Sequence, residues 1–466
     1  MGLNRKQKLL IGPIIVFVII LGVGLSYYSN RPRNINVLLI TIDTLRPDHL
    51  SCYGYKRNTS PNIDKLAKEG ILFTQAIAQG SHTAASVTSL ITSTYPNIHN
   101  VKDWGYQLNP DMHLYTLPEI LRLHGYKTAL ISDQISLSLI KGLEKDFDTY
   151  NTILTNASTF GPASKRVKIV EITDWAIDWL KNNKHNKFFL WLYYLGPHGP
   201  YTPPPPYNRI FLNDEYYNIK QSIPISDNAY LQSTIGKIPK YLAIDDITEV
   251  DYYISQYDGA IRYVDSQIGR LCEELKKSHL DKNTIIILTA DHGEGMGEHN
   301  LYFCHAIFLY DELIKIPLII KFNKALSGDK RINVQVRAID IMPTVLDILG
   351  IKKYKSMEGA SLIPLIFNRK INFPAFAYSE FINRKSVRME DWKLIYDENN
   401  KLYELYNLKD DPQELNNIVS VERGKFEYLR KKLDVYSKQG TYPDKIIEPI
   451  LGEETKKRLR SLGYAQ

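Results

Sequence analysis

Cysteine is scarce in this chain of 466 residues: there are three, Cys52, Cys272 and Cys304. So few, in an odd number, exclude a disulfide framework. None stands in a C-x-x-C or Cys/His ligand spacing, so a zinc finger is excluded as well. Buried thiols are the expected state, although one pair could form in an oxidising compartment. No internal repeat is present, which excludes solenoids and propellers. Charge is not concentrated either. The 58 Lys and Arg against 51 Asp and Glu leave a net charge of +7, but the basic residues are dispersed and no nucleic acid is expected as a partner. The balance suits an anionic substrate or surface. With 44% apolar and 23% charged residues, the composition is that of a globular protein.

Long apolar runs are absent with one exception. Leu9 to about Tyr28 holds no charged residue, and about 20 residues are enough to cross a bilayer. Arg5, Lys6 and Lys8 precede the run and should stay in the cytoplasm. Residues 1–30 are therefore expected to anchor an extracytoplasmic catalytic domain, periplasmic or at the cell surface. Cleavage after the small residues Gly22-Val23-Gly24 would instead make the protein secreted.

What is present is an alternation of apolar strands and amphipathic helices. Thr284–Ala290 and Ile35–Ile42 read as strands buried on both faces. Each ends in an aspartate, Asp291 and Asp43. Further strands are expected at Leu72–Ile77, Lys127–Ser132, Lys187–Leu195 and Ile316–Phe322. Helices are expected at Pro61–Glu69, Ala84–Thr92, Leu117–His124, Lys165–Asn182, Glu249–Lys277 and Ile339–Leu349. Tyr201–Tyr207 reads as a polyproline-like wall, and 208–248 as an irregular insertion. The pattern predicts an α/β fold, a doubly wound, mostly parallel sheet flanked by helices, over residues 35–370. Residues 371–466 change texture. Short runs at Ala375–Tyr378, Trp392–Tyr396 and Lys401–Tyr406, with a helix at Tyr428–Tyr436, predict a smaller α+β subdomain with an antiparallel sheet.

The candidate chemistry lies at strand ends. In open α/β sheets, ligands sit at the carboxyl edge. If the two Asp-terminated strands are neighbours there, Asp43, Asp291 and the adjacent His292 supply two hard oxygens and one nitrogen for a divalent metal. A polar strand end without metal is the alternative. Thr83 precedes an expected helix. Either it caps that helix, as Ser and Thr often do, or its hydroxyl, beside a metal and the helix dipole, is a nucleophile. His198 follows a strand and can contact a substrate oxygen or protonate a leaving group. His299 and His305 lie on the loop beyond His292, and His305 could fold back over the site. Glu294 and Glu298 are read as acidic neighbours, not ligands.

These residues carry a resemblance. The run Asn36–Leu50, Pro61–Ala67, Tyr95–His99, His198–Tyr201, Tyr263–Asp265 with Ile268–Arg270, and Asp291–Glu294 resemble the sulfatases of the alkaline phosphatase superfamily. So do Leu405–Leu408, Asp411-Pro412 and Leu459–Tyr464 near the C-terminus. The chain departs from the pattern at one decisive place. Common sulfatases carry C-x-P-x-R, whose Cys or Ser becomes formylglycine. Here the aligned run is Thr83-Ala84-Ala85-Ser86-Val87. The methyl on threonine's Cβ forbids that oxidation to an aldehyde. Threonine nucleophiles occur in phosphoethanolamine and phosphoglycerol transferases of the superfamily. The family's second acidic residue is Thr44 here, which suits one metal.

The resemblance implies a metal-dependent hydrolase of a phosphate, phosphonate or sulfate ester. Its expected ligands are Asp43, Thr83, Asp291 and His292 around one Zn, Mn, Ca or Mg ion. Thr83, His198 and His305 are the expected catalytic residues. The substrate would be an anionic small-molecule, lipid or glycan ester. A membrane-anchored transferase, or an inactive fold that binds an anionic glycan, are the alternatives.

Overall fold

The computed structural model describes residues 34–440 except 104–107, 109–113, 135–136, 138–139, 141, 153–168, 213–220, 228–234, 323–325, 327 and 370–371. The expected N-terminal anchor lies outside these residues. Among the described residues, no helix is long and apolar enough to cross a membrane.

The main sheet has nine strands: β1 (Asn36–Ile42), β2 (Ile71–Ile77), β3 (Lys127–Ser132), β4 (Thr149–Thr152), β5 (Phe188–Tyr194), β6 (Thr284–Ala290), β7 (Lys315–Lys321), β8 (Lys330–Ile332) and β9 (Val336–Arg337). Their order is β4-β3-β5-β1-β6-β7-β2-β8, with β9 also on β2. The pairings from β4 through β6 are parallel. Only β7 runs against its neighbours β6 and β2. Every residue of β1, β5 and β6 is buried. Helices cover both faces of the sheet, so continuous apolar runs form these strands instead of alternating ones.

The helices Pro61–Glu69, Thr83–Thr92, Leu117–Leu123, Ile169–Asn183, Val250–Lys277 and Ile341–Leu349 lie close to their expected bounds. One difference matters. The helix expected to begin after Thr83 includes it, and its N-cap is His82.

A second sheet, β10 (Phe376–Phe381), β11 (Arg384–Met389), β12 (Trp392–Asp397) and β13 (Leu402–Asn407), is antiparallel throughout. The helix Arg423–Gln439 packs Phe426, Leu429 and Leu433 onto Val387, Leu394 and Leu405. Tyr95 and Ile339 join the same cluster, and Ile77 shares another with Ala377 and Phe381. The described residues from Asn36 onward thus form one compact unit containing both sheets.

Candidate metal centre

β1 and β6 pair in parallel with Ile42 opposite Ala290. The next residue of each, Asp43 and Asp291, therefore leaves the sheet beside the other, and His292 follows at once. All three are buried, and each offers a ligand atom within 4.8 Å of the others. His292 Nε2 is 3.3 Å from Asp291 Oδ2 and 3.7 Å from Asp43 Oδ1. Its Nδ1–H donates to Gly293 O at 2.9 Å, which leaves the Nε2 lone pair facing the carboxylates. Only glycine fits at 293, because a Cβ there would meet Glu312 O at 1.9 Å.

The donor set fits a cation. Asp43 Oδ1 is buried without a hydrogen-bond partner among the described residues, an arrangement that is costly unless something positive is met there. Burial, and then the neighbouring Asp291 carboxylate, push the Asp43 carboxyl well above its ordinary range. Burial holds His292 below the usual imidazole value and therefore neutral, the state a ligand needs.

Thr83 opens a helix buried along its whole length. The expected alternative, that Thr83 caps the helix, does not hold. His82 adopts the extended cap conformation, and its Nδ1 accepts from the Ala84 N–H at 3.3 Å. With no capping task, the Thr83 hydroxyl sits 3.2 Å from His292 Nε2.

His198 and His305 are brought to the same place. The His305 ring centroid is 4.4 Å from that of His292 and 5.1 Å from that of His198. His198 donates Nδ1–H to Gly199 O at 2.9 Å. Burial lowers His198 to about 3 and His305 to about 4, so both rings are neutral. His299 is not part of this group. It pairs with Glu312 Oε1 at 2.9 Å and stacks on Tyr310.

Several residues of the site carried no signal of their own in the sequence. Gln134 donates to Asp43 Oδ2 at 2.7 Å, and the Tyr193 hydroxyl to Asp291 Oδ2 at 2.8 Å. Glu294 is buried beside the ligand group. Its Oε1 lies 3.0 Å from His305 Nδ1, and its Oε2 accepts from Tyr201 OH at 3.1 Å. Burial pushes its carboxyl up to about 7, against the opposing pull of His198 and His292. Arg46 braces the loop from behind, donating to Glu294 O at 3.0 Å and to Glu298 Oε1 at 2.8 Å. Its signal was its place in the Asn36–Leu50 run.

A buried group fit for a cation, with a helix-borne hydroxyl beside it at this edge of a parallel sheet, suits metal-assisted ester hydrolysis. Comparison with known proteins narrows the class. The family model described as Sulfatase matches residues 35–351, and the chain belongs to the sulfatase family. A second model, the C-terminal part of N-sulphoglucosamine sulphohydrolase, matches residues 297–439. An N-acetylglucosamine-6-O-sulfatase of Bacteroides thetaiotaomicron is 27% identical over 87% of this chain and 85% of its own length. A structure solved with D-glucosamine-2-N,6-O-disulfate superposes with TM-score 0.72 at 24% identity, covering 89% of this chain and 100% of that one. The phosphonate monoester hydrolase of Agrobacterium radiobacter superposes with TM-score 0.71 at 21% identity, over 87% and 96% of the two chains. These likenesses establish the fold. The chain is a hydrolase of the sulfuric ester type by family, and its Asp43, Asp291 and His292 form a group that fits a divalent metal.

Proposed function

We propose that this sulfatase-family hydrolase cleaves a phosphate, phosphonate or sulfate ester with the unmodified hydroxyl of Thr83, beside a single divalent cation held by Asp43, Asp291 and His292. One observation carries the reading: Thr83 Oγ1 approaches His292 Nε2 to 3.2 Å, so an ordinary alcohol reaches the three-residue group. A bound cation would lower the pKa of that hydroxyl and offset charge on the ester oxygens. Thr83 Oγ1 is the attacking atom, and the dipole of its own helix favours the anion in front of it. His198 and His305 have their Nδ1 atoms engaged by Gly199 and Glu294. Both rings stand beside the ligand group and can contact an ester oxygen, while the proton lost from the Thr83 hydroxyl balances the one gained by the leaving alcohol.

The chemistry favours phosphorus esters. A phosphorylated threonine is hydrolysed by water, whereas a sulfated threonine lacks the geminal hydroxyl through which formylglycine expels sulfate. The glucosamine sulfatase relative and the disulfated-glucosamine complex support an anionic glycan as the carrier of the ester. Residues 1–30 would hold the enzyme at a membrane with this domain outside the cytoplasm.

Mass spectrometry of the Thr83 peptide after incubation with aryl phosphate, phosphonate and sulfate esters tests the proposal. A phosphothreonine adduct is the expected result, and turnover through any other residue overturns it. Label recovered on an acceptor alcohol instead of as free acid would reassign the enzyme as a transferase.

A further inference from the structure

The helix Arg423–Gln439 buries Phe426, Leu429 and Leu433 against the second sheet. Beside that buried stripe runs another, Lys425, Tyr428, Lys432 and Val435, at the i, i+3, i+7, i+10 spacing of one helix face. Tyr428 is 45% exposed and Val435 53%, so this stripe meets solvent. A solvated helix face is ordinarily laced with paired charges of both signs. This helix carries six Lys and Arg against two acids, Glu427 and Asp434. Arg430 takes both acids, at 2.8 and 3.4 Å. Among the described residues, the other Lys and Arg of the helix have no carboxylate within ion-pair distance.

Two of these cations are nevertheless held. Lys425 Nζ lies 4.9 Å from the ring centroid of Trp392 on β12. Lys432 Nζ lies 5.0 Å from that of Phe376 on β10 and 5.5 Å from that of Tyr428. A ring face attracts a cation without neutralising it. Both ammonium groups therefore keep their charge and have already given up part of the freedom that a bound anion would take from them. They stand seven residues apart, about 10 Å along the axis, with Tyr428 between them.

Anionic charges at intervals, with apolar sugar faces between, match this stripe. The anionic groups meet Lys425 and Lys432, and the ring C–H faces meet Tyr428 and Val435. A membrane surface fits less well, because helices that lie on bilayers present a wide apolar face, and here that face is spent on the second sheet. The helix is also tied to the nucleophile. The Tyr436 hydroxyl donates to Glu380 Oε2 at 3.2 Å, and Lys102 Nζ donates to Glu380 Oε1. The next residue, Asp103, has its Oδ1 3.3 Å from Nε2 of His82, the neighbour of Thr83.

We propose that Lys425, Tyr428, Lys432 and Val435 form an exosite for an anionic glycan, which holds the polymer while one of its esters is presented at Thr83. The inference rests on the glycan part of the function proposed above and deepens it with a second point of attachment.

The test is calorimetric titration of the full chain with dextran sulfate at low ionic strength. Uncharged dextran, and vesicles of phosphatidylglycerol and phosphatidylcholine, are the comparisons. Wild type should bind dextran sulfate, more weakly as salt rises, and should not bind dextran. Lys425→Gln/Lys432→Gln should weaken that binding by at least about tenfold, with the melting temperature and kcat/KM on a small aryl ester unchanged. Lys276→Gln/Lys277→Gln removes the same charge from the helix Val250–Lys277 and should stay within about twofold of wild type. Thr83→Ala should lose turnover and bind dextran sulfate as wild type does, so that failure of the catalytic reading and failure of the exosite are seen separately. Three results overturn the inference: no binding of dextran sulfate by wild type, an equal loss in both double variants, or binding that Lys425→Gln/Lys432→Gln abolishes for the vesicles and not for dextran sulfate.

Discussion

Thr83 Oγ1 and His292 Nε2 lie 3.2 Å apart although 209 residues separate them in the chain. The contact joins the start of one buried helix to the end of the central strand. It leaves the threonine hydroxyl at the Asp43, Asp291 and His292 group, since His82 already caps the helix.

Thr83→Ala should therefore abolish turnover, with kcat falling by at least about 10³-fold, while the fold and metal content persist. Thr83→Ser should retain measurable activity, because it keeps the hydroxyl. Steady-state kinetics on an aryl phosphate and an aryl sulfate, with metal analysis of both variants, checks this. A Thr83→Ala protein as active as wild type removes Thr83 from the mechanism.

Chelation should inactivate and destabilise the protein together. Asp43 and Asp291 are buried neighbours, and the cation that fits them also relieves their repulsion. At a free metal concentration of 100 times Kd, binding contributes about 2.7 kcal/mol to stability. Melting curves with EDTA and with added Mn²⁺ should separate by an amount that grows with metal concentration. Coincident curves would argue against a resident ion.

Gly293→Ala should damage the centre without touching a ligand. The added Cβ would lie 1.9 Å from Glu312 O, so the backbone that aims His292 must move. A loss of metal binding by at least about tenfold is expected, read by calorimetry on protein that still shows wild-type far-UV circular dichroism.

Asp265 provides a stability test remote from the chemistry. It lies in the helix Val250–Lys277, and its carboxylate accepts from the backbone N–H groups of Asn62 and Ile63 at 2.9 and 2.8 Å. It thus serves the first turn of the helix Pro61–Glu69, whose own cap residue, Ser60, makes no side-chain capping bond. Asp265→Ala should cost about 2–4 kcal/mol by orphaning these donors, with kcat nearly unchanged. Burial also pushes the Asp265 carboxyl up to about 6, above the ordinary unfolded value of about 3.9. The folded state then holds the proton more tightly than the unfolded state. Its contribution is full below about pH 4 and declines as pH rises through about 6. Denaturant melts from pH 4 to 7 should show wild type losing stability relative to Asp265→Asn across this window. A constant difference would place the carboxyl at its ordinary value.

Much of the fold was legible because burial writes itself into composition. Continuous apolar runs such as Thr284–Ala290 and Phe188–Tyr194 have no solvent-facing side, so no polar alternation interrupts them. The glycine and proline boundaries of Pro61–Glu69 were equally plain. The antiparallel entry of β7 was not, because a buried strand has the same residues in either direction. The cap of Thr83–Thr92 was misassigned because Ser and Thr are the usual capping residues and an imidazole seldom takes that place. Glu294 read only as an acidic neighbour on a glycine-rich loop. Only the packing of Tyr201 and His305 against it reveals a buried partner.

The chain by itself determined the six longer strands of the main sheet, which of them end in aspartate, and that position 83 holds an alcohol where oxidation to an aldehyde is closed. Those are local properties of covalent structure and hydrophobic pattern. Tertiary structure alone decided that β1 and β6 are neighbours in register, that Gln134 and Tyr193 reach the carboxylates, and that the Thr83 hydroxyl meets His292. Each of these depends on pairing segments far apart along the backbone, and such pairings are set by how the sheet and its helices pack together to exclude water.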